Sequence, residues 1–109
     1  LFIPDIDRWE QLDSMGTSIE ELIRSVDVAY LDGTFFGEGE IPGRSMAAFP
    51  HPLITSSIAR FSVLAARESA KIRFIHFNHT NRAVYPGPER NAILRAGHRV
   101  AEQGERVGL

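Results

Sequence analysis

An α/β fold is predicted for this chain by two features: short apolar runs of strand length, and segments of helical period that separate them. They alternate as β-α-β-α-β-α-β, closing on a candidate hairpin. That order argues for helices covering a substantially parallel sheet. A third feature concerns function, because acidic and imidazole residues sit at or just beyond the ends of the runs. The 109 residues allow one small domain with a single core.

Leu1-Phe2-Ile3 is an apolar run stopped by Pro4 and reads as a buried strand. It has no initiator Met and no polar lead-in, so the strand is expected to be entered from upstream and the chain to be truncated. Asp5-Ile6-Asp7 follows as an acidic loop. Thr17 and Ser18 are alternative N-caps, with Glu20 and Glu21 three positions on as capping-box partners. Ile19, Leu22, Ile23 and Val26 then form one apolar helix face. Val28 to Leu31 is the second buried strand and runs into Asp32-Gly33-Thr34. Residues 35–52 form a long loop rich in Gly and Pro, a length usually tied to function or mobility. Pro52 fits the first turn of a helix reaching about Ser69, with Ile54, Ile58, Phe61, Leu64 and Ala65 on its buried side. Ile72 to Phe77 is the third strand. Pro88 and Gly97 bracket the last helix, and a hairpin around Gln103-Gly104 is expected to close the chain.

Composition narrows the function classes. With 43% apolar and 24% charged residues, the chain is globular rather than disordered. A net charge of −2 gives no basic excess, so nucleic acid and anionic membrane surfaces are not favoured partners. No apolar run approaches the roughly 20 residues of a membrane span. The absence of cysteine excludes disulfides and thiolate metal sites. It leaves cytoplasm as the default location, and no signal peptide is expected.

In open α/β sheets, sites gather at the carboxyl ends of the strands. Strand one delivers Asp5 and Asp7, strand two Asp32, and strand three His76 and His79, while the long loop adds His51 at a helix entrance. Carboxylate oxygen and imidazole nitrogen suit zinc, iron or manganese. Each residue also has a plain alternative. The three aspartates are common turn formers, and His51 before Pro52 is an ordinary loop residue. His76, inside an apolar strand, reads equally as a core histidine satisfied by a backbone carbonyl. His79 and His98 read as solvent-facing, His98 because it follows the helix-ending Gly97.

The ordered set resembles the later motifs of the metallo-β-lactamase superfamily. Phe2-Ile3-Pro4-Asp5 is similar to the strand and turn presenting that family's metal-bridging Asp. Leu31-Asp32-Gly33-Thr34-Phe35 resembles the segment where its tRNA-processing members carry an acidic residue before Thr-Phe, and Phe49-Pro50-His51-Pro52 their helix-opening His. Phe74-Ile75-His76-Phe77 resembles the strand bearing the last histidine ligand. Asp32-Gly33-Thr34-Phe35 and the run Ile75 to Asn81 are most similar to the branch containing the coenzyme PQQ biosynthesis protein B, which often has Asn at the position of His79 and Pro at that of Arg82.

The resemblance implies the C-terminal half of a four-layer αββα sandwich, a partial domain over residues 1–109 with one mixed sheet and helices on one face. It implies Asp5 and His76 as metal ligands, Asp7 and His79 as further candidates, and Asp32 and His51 as a catalytic pair in which the carboxylate orients the imidazole. The implied cofactor is one or two zinc ions, with iron or manganese as alternatives. A bound ion lowers the pKa of water from about 15.7 to about 7. The expected reaction is hydrolysis of an ester, amide or phosphodiester in a small-molecule substrate, with His51 protonating the leaving group. The alternatives are a metal-dependent oxidoreductase or accessory protein in quinone cofactor biosynthesis, and a non-catalytic α/β binding module. The family's His-x-His-x-Asp-His loop is not in this sequence. The chain alone is therefore expected to be inactive, and to pair with a missing N-terminal half or with itself as a homo-oligomer.

Overall fold

A computed structural model of the chain describes residues 1–105. Four short strands, β1 (Phe2–Ile3), β2 (Ala29–Asp32), β3 (Ile72–Ile75) and β4 (Arg99–Val100), form one sheet in the order β1-β2-β3-β4. Every pairing is parallel. Each crossover carries helix, as parallel neighbours require: α1 (Glu10–Ser14) and α2 (Ile19–Arg24), then α3 (Ile54–Phe61) and α4 (Ala66–Ser69), then α5 (Pro88–Arg95). The substantially parallel sheet expected from the element order is present, whereas the mixed sheet implied by the resemblance is not seen among the described strands. Gln103-Gly104 does turn, and the rest of the expected hairpin, residues 106–109, lies outside the described residues.

The pleat explains the two faces. Register places Ile3, Leu31, Phe74 and Val100 side by side in one row, and Phe2, Tyr30, Arg73 and Arg99 in the next. Leu31, Phe74 and Val100 join Ile19, Ile23, Ile54, Phe61 and Ile93 of the helices in a single core, against which Ile3 packs. The other row is wetter: Phe2 is 65% exposed, and Arg73 and the Tyr30 hydroxyl both donate to Glu105. The short N-terminal strand is thus an edge strand of the described sheet, half-buried on one face and open on the other.

Caps account for the helices read correctly. Ser18 Oγ accepts from Glu21 N at 3.1 Å to start α2. Pro88 opens α5, and Gly97 closes it with φ 89°. The single helix expected from Pro52 to Ser69 is broken instead. α3 begins at Ile54, and after Phe61 the chain tightens into i→i+3 bonds (Ser62 N to Ala59 O, Leu64 N to Phe61 O) before α4. Phe61 and Leu64 are both buried by this bend.

α1 has no strong sequence signal and is held by tertiary contacts. Trp9, just before it, is buried, and its Nε1 donates to Ser57 Oγ of α3 at 2.9 Å. Arg60 of α3 reaches Asp13 of α1 and forks onto both oxygens of Glu20 in α2. This guanidinium holds the Glu20 carboxyl below the usual carboxylate range, against the opposing effect of burial.

Two histidines depart from expectation. His98 is buried at 3% exposure rather than solvent-facing. Its Nδ1 lies 3.0 Å from the Ser69 carbonyl, and its ring packs edge-on against Phe61 and Phe74. His76 lies outside β3, which stops at Ile75 rather than Phe77. It is exposed and adopts φ 71°, the left-handed region that no ladder strand uses.

Candidate metal and proton-transfer site

β2 delivers Asp32 at its carboxyl end, and the chain turns at once. Thr34 N donates to Asp32 Oδ1 at 2.9 Å, so the turn-forming reading of Asp32 holds for one oxygen. Gly33 makes the turn feasible. A Cβ there would meet Phe74 Cβ at 2.9 Å and the Ile75 carbonyl at 3.1 Å, and Gly33 N donates to that carbonyl. Asn81 is fully buried and locks the turn from the other side, with Nδ2 donating to Gly33 O at 2.7 Å and Oδ1 accepting from Ala83 N.

Asp32 is wholly buried. Besides Thr34 N, its Oδ1 accepts from Thr34 Oγ1 at 2.8 Å, and its Oδ2 from Ile6 N at 3.0 Å and His51 Nδ1 at 2.8 Å. Four donors therefore surround one carboxylate, which satisfies the approximate lone-pair capacity of the group. The long loop brings His51 to this point because both its ends are tied down. Phe35 O accepts from Ile54 N and Phe36 O from Thr55 N, and Phe35 pairs with Leu53. Within the loop, Met46 is buried in a 3₁₀ turn over Met46–Ala48, and Phe35 packs on Phe49 and edge-on to His51.

Asp5, Asp32 and His51 come together, with a possible ligand atom of each within 4.8 Å of the others. Their hydrogen bonding separates them chemically. Asp32 is saturated as an acceptor, whereas exposed Asp5, among the described residues, makes only a 3.5 Å approach of Oδ1 to His51 Nδ1. Asp5 is therefore the freer oxygen donor, despite the compactness of the trio. His76 joins through Thr34, whose Oγ1 is 3.0 Å from His76 Nδ1 and 3.3 Å from His51 Nδ1, and the two rings lie 6.2 Å apart. Neither Asp7 nor His79 makes a side-chain hydrogen bond or ion pair to this cluster among the described residues; both are exposed. A cleft of about 320 Å³ opens beside His51, bordered by Arg8, Trp9, Met46, Leu53 and Arg60.

The donor set suits a metal in type but not in number. With His51 held by Asp32 as a proton carrier, an oxygen of Asp5 and Nε2 of His76 are left as hard and borderline donors fit for zinc. A full site takes three or four protein ligands. The sequence alone predicts no role for Thr34, Ile6 N or Asn81. Only the Asp-x-Thr spacing of an Asx turn signals Thr34, and a backbone amide leaves no signal at all.

By sequence, neither a family model nor a curated protein matches the chain. By structure, it is similar to zinc-bound PqqB from Methylobacterium extorquens, with a TM-score of 0.72, 21% identity and 99% of this chain covered. The chain spans 36% of the length of that protein's chain. The architecture is thus that of the C-terminal half of a metallo-β-lactamase fold. No helix of the described residues is long and apolar enough to cross a membrane.

Proposed function

We propose that this chain forms one wall of a metal-dependent hydrolase centre, with Asp5 and His76 as metal ligands and the Asp32–His51 pair handling protons. The observation that carries the reading is the 2.8 Å contact between His51 Nδ1 and a wholly buried, fully engaged carboxylate. Such a partner fixes the ring and leaves Nε2 as the working nitrogen, the arrangement a general acid–base requires. A bound ion would supply Lewis acidity and lower the pKa of water. His51 would carry the proton for the leaving group of a small ester, amide or phosphodiester seated in the adjoining cleft. Two ligands are too few, so the remaining ones would come from outside this chain, in keeping with the greater length of the zinc-bound protein that shares its fold.

The test uses the protein in its full natural length. Zinc content by elemental analysis and hydrolysis of nitrophenyl esters and phosphodiesters are measured for wild type and His51→Ala. The variant is expected to keep its metal and lose about 10²–10⁴-fold in rate; an unchanged rate would overturn the role of His51. A metal-dependent oxidoreductase or accessory role in quinone cofactor biosynthesis is the second reading, supported by the structural likeness to PqqB. Preference for iron over zinc with no hydrolysis of any ester would favour it.

A further inference from the structure

We propose that Thr34 is a positioning residue: its hydroxyl relays between Asp32 and His76, so that the proton of His76 sits on Nδ1 and Nε2 stays bare. The proposal rests on the reading of His76 as a metal ligand, and it adds the device that would make that ring competent to bind.

Thr34 Oγ1 has one hydrogen and three polar neighbours: Asp32 Oδ1 at 2.8 Å, His76 Nδ1 at 3.0 Å and His51 Nδ1 at 3.3 Å. A carboxylate only accepts. If the hydroxyl hydrogen pointed anywhere but Asp32, two oxygen lone pairs would face each other at 2.8 Å at a buried contact. The hydrogen therefore goes to Asp32, and the Thr34 oxygen is left as an acceptor. His76 Nδ1 must then be the donor.

His51 reaches the same state by a shorter route, since its Nδ1 lies 2.8 Å from Asp32 Oδ2. One buried carboxylate thus sets both rings, His51 directly and His76 through a hydroxyl. Metal-binding histidines commonly have their second nitrogen tied in this way, and loss of the tie costs about 10–100-fold in metal affinity. Two further features hold the relay in place. Thr34 is itself 6% exposed, and its carbonyl accepts from Asn78 N at 2.9 Å. His76 takes φ 71°, a conformation costly for a side-chain-bearing residue, at the point where its ring meets Thr34.

The experiment reads the tautomer directly. Nitrogen-15 shifts of the histidine rings are recorded on the metal-free protein at about pH 8, above the ordinary histidine pKa of about 6.5. Wild type is expected to show His76 protonated on Nδ1, Thr34→Ser to keep that signature, and Thr34→Val to lose it. Zinc affinity measured by competition is expected to fall about 10–100-fold in Thr34→Val and to stay within about threefold of wild type in Thr34→Ser. A wild-type His76 protonated on Nε2 would overturn the relay, even if Thr34→Val failed to fold. Absence of zinc binding in wild type would sink the ligand role instead, and the tautomer spectrum would still decide the relay.

Discussion

Asp32 shows how one residue can satisfy a plain and a functional reading together. One oxygen closes an Asx turn with Thr34, while the other takes Ile6 N and His51 Nδ1. Asp32→Asn keeps the shape but offers one acceptor atom and one amide donor to four donors, so two of them face an N–H. Folding stability is expected to fall by about 1–3 kcal/mol in urea titration. Under the proposed hydrolase function, the rate should drop about 10²–10⁴-fold, because His51 loses the partner that fixes its ring. A wild-type rate in that variant would show that His51 needs no such partner. The contact itself was legible only through motif order. His51 lies 19 positions after Asp32, and no periodicity spans such a loop. Thr34 carries no functional signal in the sequence, since a hydroxyl's role depends on which acceptors the fold sets beside it.

At the scale of elements, legibility followed local chemistry. Ser18, Pro88 and Gly97 act on backbone groups within a turn of themselves, and the helices they bound were read correctly. α1 was missed because its support comes from Trp9 and Arg60 contacts with α3, which no local pattern encodes. The helix from Pro52 to Ser69 was overdrawn because an apolar face continues through the bend that buries both Phe61 and Leu64. The apolar pattern extends β3 two residues too far, to Phe77, whereas the strand ends at Ile75 and His76 leaves the sheet conformation. The approach of β2 to β3 beside this point gives a sharp test. In Gly33→Ala the new methyl meets Phe74 Cβ at 2.9 Å and the Ile75 carbonyl at 3.1 Å, neither of which is the end of a flexible side chain. A loss of about 1–3 kcal/mol is expected from overpacking. Stability equal to wild type would mean that the two strand ends separate freely, and the cluster beyond them could not be rigid.

Across the whole molecule, the α/β layer was the most legible property, because alternation of runs and helical segments leaves few alternatives. What escaped was the depth of His98, judged from its place after Gly97 rather than from the core it enters. Three segments meet at this ring: Phe61 of α3, Phe74 of β3 and the Ser69 carbonyl at the end of α4. Burial pushes its pKa below the ordinary 6.5, opposed by the hydrogen bond to Ser69. The sign of the pH effect follows. Below about pH 6.5 the unfolded ring takes a proton that the folded ring resists, so the unfolded state binds more protons and gains on the folded one. Stability from this residue is complete above about pH 6.5 and is lost as pH falls towards its depressed folded value, at no more than about 1.4 kcal/mol per pH unit. Urea titrations at about pH 7.5 and about pH 5.5 should therefore show a steeper loss in wild type than in His98→Leu, which keeps an apolar group between the two phenylalanines but has nothing to titrate. Equal losses in the two proteins would mean that the ring takes its proton as readily inside as outside, and the joint between α3, α4 and β3 would be open to water.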